Sequence, residues 1–228
     1  MKSLTFKRLS FFKIVLITAF LFLFLLLGGC VYMYTYLSSY FKYNEAMIVW
    51  QVICAGLTFI FIKHYDSQIL INPREMFNFK RINLKLIFII LSIITLIELI
   101  ISLLIHKRVS VNENFDFFKS TVIFFFEGLT EELIFRGWTM NAISKTISIK
   151  KANIIQSSII LLFLSISFIS FNKSSINTIT IIITQIIYII MRGYISGIVF
   201  VKTKSIWNTI IIKCFNAVIG EFFSVTIY

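Results

Sequence analysis

Charged side chains are scarce in this sequence. Asp, Glu, Lys and Arg make up 14% of its 228 residues, whereas they make up about 25% of an average soluble domain. Proline occurs once, histidine occurs twice, and 58% of the residues are hydrophobic. Continuous apolar runs of helical length recur along the chain, without the strict alternation of membrane-spanning strands. The composition therefore excludes an ordinary soluble domain and predicts an all-α, polytopic transmembrane helical bundle.

Cysteine is also rare, and its spacing does not suggest ligands. Cys30, Cys54 and Cys214 lie singly inside apolar segments, where cysteine behaves as a small hydrophobic residue. The stretch LGGC that ends at Cys30 is similar to a lipoprotein signal, but the apolar run continues beyond it, which favours a first span. We therefore expect no metal site and no other cofactor.

Basic residues exceed acidic ones, and the formal net charge is +12. They lie mostly between apolar runs, so we expect them to set the membrane topology and contact anionic headgroups, not to bind nucleic acid. The loops predicted on the same side of the membrane as the N-terminus carry more Lys and Arg than the loops on the opposite side. This asymmetry predicts a cytoplasmic N-terminus. We predict about seven spans, at residues 11–37, 46–62, 84–105, 118–139, 152–171, 176–201 and 206–227.

The chain divides into two parts in this interpretation. Residues 1–110 are predicted to form N-terminal membrane helices, with a cytoplasmic amphipathic loop at 63–83 that lies at the membrane interface. Residues 111–228 are predicted to form a second membrane domain. The apolar side of the loop is predicted to consist of Ile69, Leu70, Ile71, Met76 and Phe77.

The stretch EGLTEELIFRGW at residues 127–138 places several charges within a predicted span. Charges inside a membrane are usually paired, interior-facing and functional. Glu132 and Arg136 share a helix face, as do Glu127 and Glu131, because residues four apart are neighbours. Glu131 and Glu132 differ by about 100° around the axis, so Arg136 can hold one carboxylate while the other acts as a base. A buried ion network that only fixes helix packing is the alternative.

This stretch resembles the CPBP family, the CAAX-protease and bacteriocin-processing membrane proteins, also called Abi. The first family motif is EExxxR followed by Gly, which falls on Glu131, Glu132, Arg136 and Gly137. A Gly-containing helix, a basic turn, the letters SIW and a last helix follow at 192–218, in the layout of the family. The resemblance implies an intramembrane endopeptidase in which Glu131 is the base, Glu132 its partner and Arg136 the clamp.

The other two family motifs lack their histidines here. The second motif, FxxxH, could fall on Phe163 with Ser167 or on Phe168 with Asn172. The third expects a histidine where Lys213 stands, with Asn216 one position from its Asn. Asn172 or Asn216 could still supply a donor for an oxyanion. We expect Lys213 to pair with a glutamate and neutralise it, and Arg192 could do the same. Glu127, Arg192 and Lys213 are thus the other buried charges expected near the site.

Three functions fit these residues. The first is a CAAX-prenyl-protease-like endopeptidase that cleaves a membrane-proximal bond in a prenylated protein, a leader peptide or a bacteriocin-like precursor. The second is a catalytically impaired family member that acts as a membrane scaffold, a partner of another enzyme or a bacteriocin self-immunity protein. The third is a small proton transporter. The expected partners are the lipid bilayer and a peptide, a lipidated protein or a cell-envelope enzyme, in the plasma membrane of a bacterium.

Overall fold

The computed structural model describes residues 9–25, 43–106, 111–171 and 176–223 of the chain. Every regular element within these ranges is helical, which confirms the all-α prediction. The long helices are α1 (Phe11–Leu23), α2 (Tyr43–His64), α3 (Leu84–His106), α4 (Phe117–Glu132), α5 (Ile149–Phe171), α6 (Ile176–Thr203) and α7 (Ile206–Phe222). A π-helical segment at Leu133–Met140 continues α4 and leads into a single α-turn at Asn141–Ile143.

Two segments within the described ranges are long and apolar enough to cross a membrane, Glu45–His64 and Ile186–Thr203. Phe11–Leu23 and Leu84–Ile97 are apolar but shorter. The first and last predicted spans extend beyond the described residues, and α4 carries several charges. The two candidate spans agree with a membrane protein, whereas the seven spans and the cytoplasmic N-terminus stay predictions.

Helix α4 and the π segment lie at the centre of the packing. Helix α4 packs against α2 and α7, the π segment contacts α1, α2 and α5, and α5 packs along α6. Phe135 and Trp138 of the π segment are buried in the main apolar core. Gly137 permits the close approach of α2, because a Cβ at this position would lie 3.0 Å from Cδ1 of Ile62. The glutamate stretch therefore runs through the core of the fold.

The π segment is a departure from the continuous span predicted at 118–139. All eight of its residues are buried, so the segment has no exposed polar face of the kind that an amphipathic helix shows. The hydroxyl of Thr139 donates to the carbonyl of Ile134, five residues earlier, at 2.8 Å. The same hydroxyl lies 2.9 Å from that of Thr18 in α1. Contacts from neighbouring helices thus accompany the wider turn, and π-helical turns are frequent at functional sites.

The loop at 63–83 folds into short helical turns. Two of them are 3₁₀ turns, at Asp66–Gln68 and Phe79–Arg81, and a short α-helix at Pro73–Met76 lies between them. The side chain of Asn72 accepts from the amide of Arg74 and caps the short helix, as Asn commonly does. The loop is therefore ordered by local caps.

Burial of this loop corrects the prediction about its apolar side. Ile69, Ile71 and Met76 are buried in the protein core, so they do not face the membrane surface, and only Leu70 of the predicted set is half exposed. The Asn141 side chain holds the loop there, because it accepts from the amide of Ile71 and donates to its carbonyl. These paired hydrogen bonds to a buried Asn stabilise the buried position of the loop, which the amphipathic pattern did not predict.

Packing between α5 and α6 makes Gly197 sensitive to substitution. A Cβ at Gly197 would lie 1.8 Å from Oδ1 of Asn153, whose amide donates to the carbonyl of Tyr194 at 3.0 Å. We expect Gly197→Ala to displace this amide and to lower the free energy of unfolding by about 1–3 kcal/mol. The measurement is thermal unfolding of the purified protein in detergent.

Two comparisons make this prediction specific. Gly56→Ala is the matched control, because nothing lies within 4 Å of a Cβ at Gly56. In an Asn153→Ala background, Gly197→Ala should cost clearly less, since the colliding amide is gone. If Gly197→Ala lowered the free energy of unfolding equally in the wild-type and Asn153→Ala backgrounds, the proposed contact would be contradicted.

Candidate functional site

The first ion pair of the site joins α4 to the π segment. Nη1 of Arg136 lies 2.9 Å from Oε1 of Glu132, and both side chains are almost completely buried, at 4% and 1% exposure. The pair has the four-residue spacing predicted from the sequence. Nη2 of Arg136 donates to the carbonyl of Gly193 in α6 at 3.1 Å. Arg136 therefore links α4 to α6 through a carboxylate and a backbone oxygen.

The second ion pair joins α4 to α7. Lys213 is ion-paired with Oε2 of Glu131, and their side chains are 8% and 21% exposed. Glu127 also interacts electrostatically with Lys213. Gly128 lies between these glutamates and faces α7, since a Cβ there would be in ordinary contact with the carbonyl of Ile210 at 3.6 Å. Lys213 thus occupies the carboxylate face of α4.

The two neighbouring glutamates have different partners. Glu131 pairs with the ammonium of α7, while Glu132 pairs with the guanidinium of the π segment. This arrangement agrees with their predicted separation around the helix axis. The expectation that Lys213 pairs with a glutamate is matched by the contact with Glu131. Neither carboxylate is left without a cation.

Several buried polar atoms have no hydrogen-bond partner among the described residues. Oε2 of Glu132 and Nε of Arg136 have no hydrogen-bond partner among them. Gln156 of α5 is fully buried, and both its amide atoms also lack a partner within the described ranges. Buried polar groups are usually satisfied by protein or ordered water. These atoms are therefore suited to hold water or a polar backbone.

The other predicted site residues differ in their placement. Asn216 lies on α7, where its amide donates to the hydroxyl of Tyr188 in α6 at 2.6 Å. Arg192 is half-buried beside Gly193 and interacts repulsively with Arg136. Asn172 lies outside the described residues, so its predicted donor role stays a prediction. Lys213, not Arg192, is the cation paired with Glu131.

Sequence reasoning missed the polar face that α5 presents to α6. Asn153 donates to the carbonyl of Tyr194, and Ser157 lies within 3.3 Å of a Cβ built on Gly193. Gln156 belongs to the same helix and is buried. The signal was present as polar residues at the start of an apolar run, but their partners are more than 30 residues away. Within the described residues, no group of three or more His, Cys, Asp or Glu side chains could hold a metal ion.

Comparison with known protein families places this site in context. Residues 113–219 match the family described as Type II CAAX prenyl endopeptidase Rce1-like. The matched segment contains the glutamates of α4, Arg136 and Lys213. No curated protein and no solved structure matches the chain. The similarity therefore extends over the site and leaves α1 to α3 outside it.

The difference in burial between the two pairs gives a testable order of stability. Glu132→Gln should lower the free energy of unfolding by about 3–5 kcal/mol, because Arg136 keeps its charge in a buried position. Glu131→Gln should cost less, because its carboxylate is partly exposed and Glu127 remains near Lys213. Thermal unfolding in detergent measures both.

A double substitution separates charge burial from simple packing. Glu132→Gln together with Arg136→Met removes both charges and should recover part of the stability lost in Glu132→Gln. Equal losses in the two single variants, or a further loss in the double variant, would contradict this assignment of the buried pair.

Proposed function

We propose, for a chain whose residues 113–219 are a domain of the Rce1-like CAAX endopeptidase family, that its site binds a membrane-embedded peptide and is impaired in hydrolysis. The family match supports a CAAX-protease-like membrane protein. The proposed role is that of a catalytically impaired member, which acts as a membrane scaffold, as a partner of another enzyme or as a bacteriocin self-immunity protein. The occupant of the site would be a peptide or a lipidated protein.

One observation carries this proposal, the ion pair between Glu131 and Lys213. A general base for water must offer a carboxylate oxygen that is free to accept a proton. The ion pair with Lys213 engages Oε2 of Glu131, so this oxygen is not free. Lysine stands where the family motif has a histidine, and a charged ammonium has only donors and cannot relay a proton as imidazole does. The pair therefore favours binding over catalysis.

Other buried polar atoms, on Glu132, Arg136 and Gln156, support the binding of a peptide. Oε2 of Glu132, Nε of Arg136 and the amide of Gln156 offer donors and acceptors without partners in the described residues. A membrane-embedded backbone exposes such groups wherever its helix is broken, and it must satisfy them internally or with a partner. A site with balanced charge and spare hydrogen-bonding capacity suits an uncharged peptide segment.

An active endopeptidase is the second candidate, and the partial exposure of Glu131 favours it. Its side chain remains 21% exposed, so water could reach it. Glu131 would take a proton from water as the water oxygen attacks the peptide carbonyl, and the proton would pass to the leaving amine. Glu132 would support Glu131, Arg136 would hold the geometry, and Asn172 or Asn216 would donate to the oxyanion.

The proposed membrane arrangement follows the charge distribution. We propose seven spans with a cytoplasmic N-terminus, in a multi-pass protein of a bacterial plasma membrane. Residues 1–110 would form the N-terminal helices and residues 111–228 the domain that carries the site. The positive-inside distribution of Lys and Arg supports this arrangement. Cysteine labelling from each side of the membrane, at exposed loop positions, tests it directly.

Reconstitution in liposomes with a farnesylated CAAX peptide tests the proposed function. We expect the wild-type protein to crosslink to the peptide without cleaving it, because Glu131 is neutralised. Glu131→Gln should retain binding, and a cellular phenotype should survive this substitution. Cleavage by the wild type that disappears in Glu131→Gln would overturn the proposal and establish the endopeptidase instead.

Restoring a histidine provides a second, independent test. Lys213→His removes the ion pair and supplies an imidazole on α7, so we expect peptide hydrolysis above the wild-type level. Hydrolysis should be lost again in Lys213→His combined with Glu131→Gln. Lys119→His is the matched control, since Lys119 is an exposed lysine in the first turn of α4. Loss of peptide binding in Lys213→His without any hydrolysis would argue that the ion pair only maintains the fold.

A further inference from the structure

A basic cavity lies apart from the glutamate site, between the start of α3 and the end of α6. Its volume is about 740 Å³ and it is open to the surroundings. It shares no lining residue with the two glutamate ion pairs. The lining combines four cations with polar and apolar groups: Lys80, Arg81, Ile82, Asn83, Leu84, Lys202, Thr203 and Lys204.

The first residues of α7 fix one wall of this basic cavity. The buried side chain of Asn208 donates to the carbonyl of Arg81 at 3.0 Å and accepts from the amide of Asn83 at 2.8 Å. The indole of Trp207 donates to the carbonyl of Phe77 at 3.0 Å. Trp207 also stacks on Phe79 with a centroid distance of 4.3 Å. Hydrogen bonds of the folded chain therefore hold the backbone of this wall in place.

Lys204 adopts a backbone conformation that is unusual for its residue type. Its φ is 54°, in the left-handed region, where glycine is the ordinary choice after a helix. It is the only non-glycine residue with positive φ among the described residues. Its amide donates to the carbonyl of Phe200 at 2.7 Å and closes α6. A lysine held in this position places a cation at the cavity, where glycine would place none.

The cations of the basic cavity are only partly neutralised. Oε2 of Glu75 lies 3.1 Å from Arg81 and 3.9 Å from Lys204. Among the described residues, Lys80 and Lys202 have no carboxylate partner. One acidic group thus faces four basic ones, which leaves an excess of positive charge. Such a pocket favours an anion with several acceptor oxygens.

Apolar residues beside the basic cavity distinguish a lipid from a free anion. Phe79 is 62% exposed, Leu84 is 72% exposed and Phe88, one turn further along α3, is 73% exposed. Apolar side chains that continue from a basic pocket along a helix suit acyl chains. A free phosphate would use the cations but not this apolar surface.

We propose that the basic cavity binds the phosphate headgroup of an anionic phospholipid, with the acyl chains lying along the exposed face of α3. Lys80, Lys202 and Lys204 would contact the phosphate oxygens. Glu75 would hold Arg81 and Lys204 through its ion pairs. The bound lipid would connect the end of α6 to the start of α3 at the membrane surface. This proposal does not depend on whether the glutamate site hydrolyses peptides.

Lipid retention measured by native mass spectrometry tests this proposal. The full chain is extracted from nanodiscs of equimolar phosphatidylglycerol and phosphatidylcholine, and the bound lipids are counted. We expect the wild type to retain phosphatidylglycerol in preference. The double variant Lys202→Gln/Lys204→Gln should weaken retention by about fivefold for each lysine. The matched control is Lys150→Gln/Lys151→Gln, which removes the same charge from exposed lysines at the start of α5 and should leave retention unchanged.

Two further arms identify the ligand and guard against misfolding. Lys204→Gly removes a cation and suits the left-handed backbone, so it should lose retention while the unfolding temperature holds or rises. Millimolar inorganic phosphate should not displace the lipid, because it cannot use the apolar surface of α3. Three outcomes would overturn the lipid site. These are an equal loss of lipid retention in the two double variants, no preference of the wild type for phosphatidylglycerol, and displacement of the lipid by inorganic phosphate.

Discussion

A guanidinium buried at the centre of a membrane-type helical core must be neutralised where it lies, because taking a charge out of water costs several kcal/mol or more. Arg136 meets this constraint with the carboxylate of Glu132 and the carbonyl of Gly193. The second contact requires α6 to approach closely, and glycine at 193 and 197 leaves room for the polar side chains of α5. The packing of three helices thus depends on one buried cation.

The second ion pair gives the site its chemical character. Lys213 brings α7 against α4 beside Gly128 and neutralises Glu131. A proteolytic site needs an available base, whereas both glutamates are paired with cations here. The segment that matches the CAAX endopeptidase family thus holds Glu131 and Glu132 in ion pairs with Lys213 and Arg136. A shared fold does not by itself establish a shared reaction.

Helix α7 connects the glutamate site to the basic cavity. Its first residues, Trp207 and Asn208, hold the loop that forms the basic cavity. Two turns later, Lys213 and Asn216 contact α4 and α6. A single helix thus carries both a wall of the basic cavity and the cation of the buried site.

The sequence by itself determined the features that depend on short-range geometry. Apolar runs marked the helices, and four-residue spacing predicted the Glu132–Arg136 pair. The expectation that Lys213 meets a glutamate came instead from the family resemblance, since lysine stands where the third motif has a histidine. Only the tertiary structure decided which glutamate Lys213 meets, that the Gly193 carbonyl binds Arg136, and that residues 133–140 form a π helix. It also turned Ile69 and Ile71 into the core. These features depend on partners distant in the chain, whose positions local spacing does not encode.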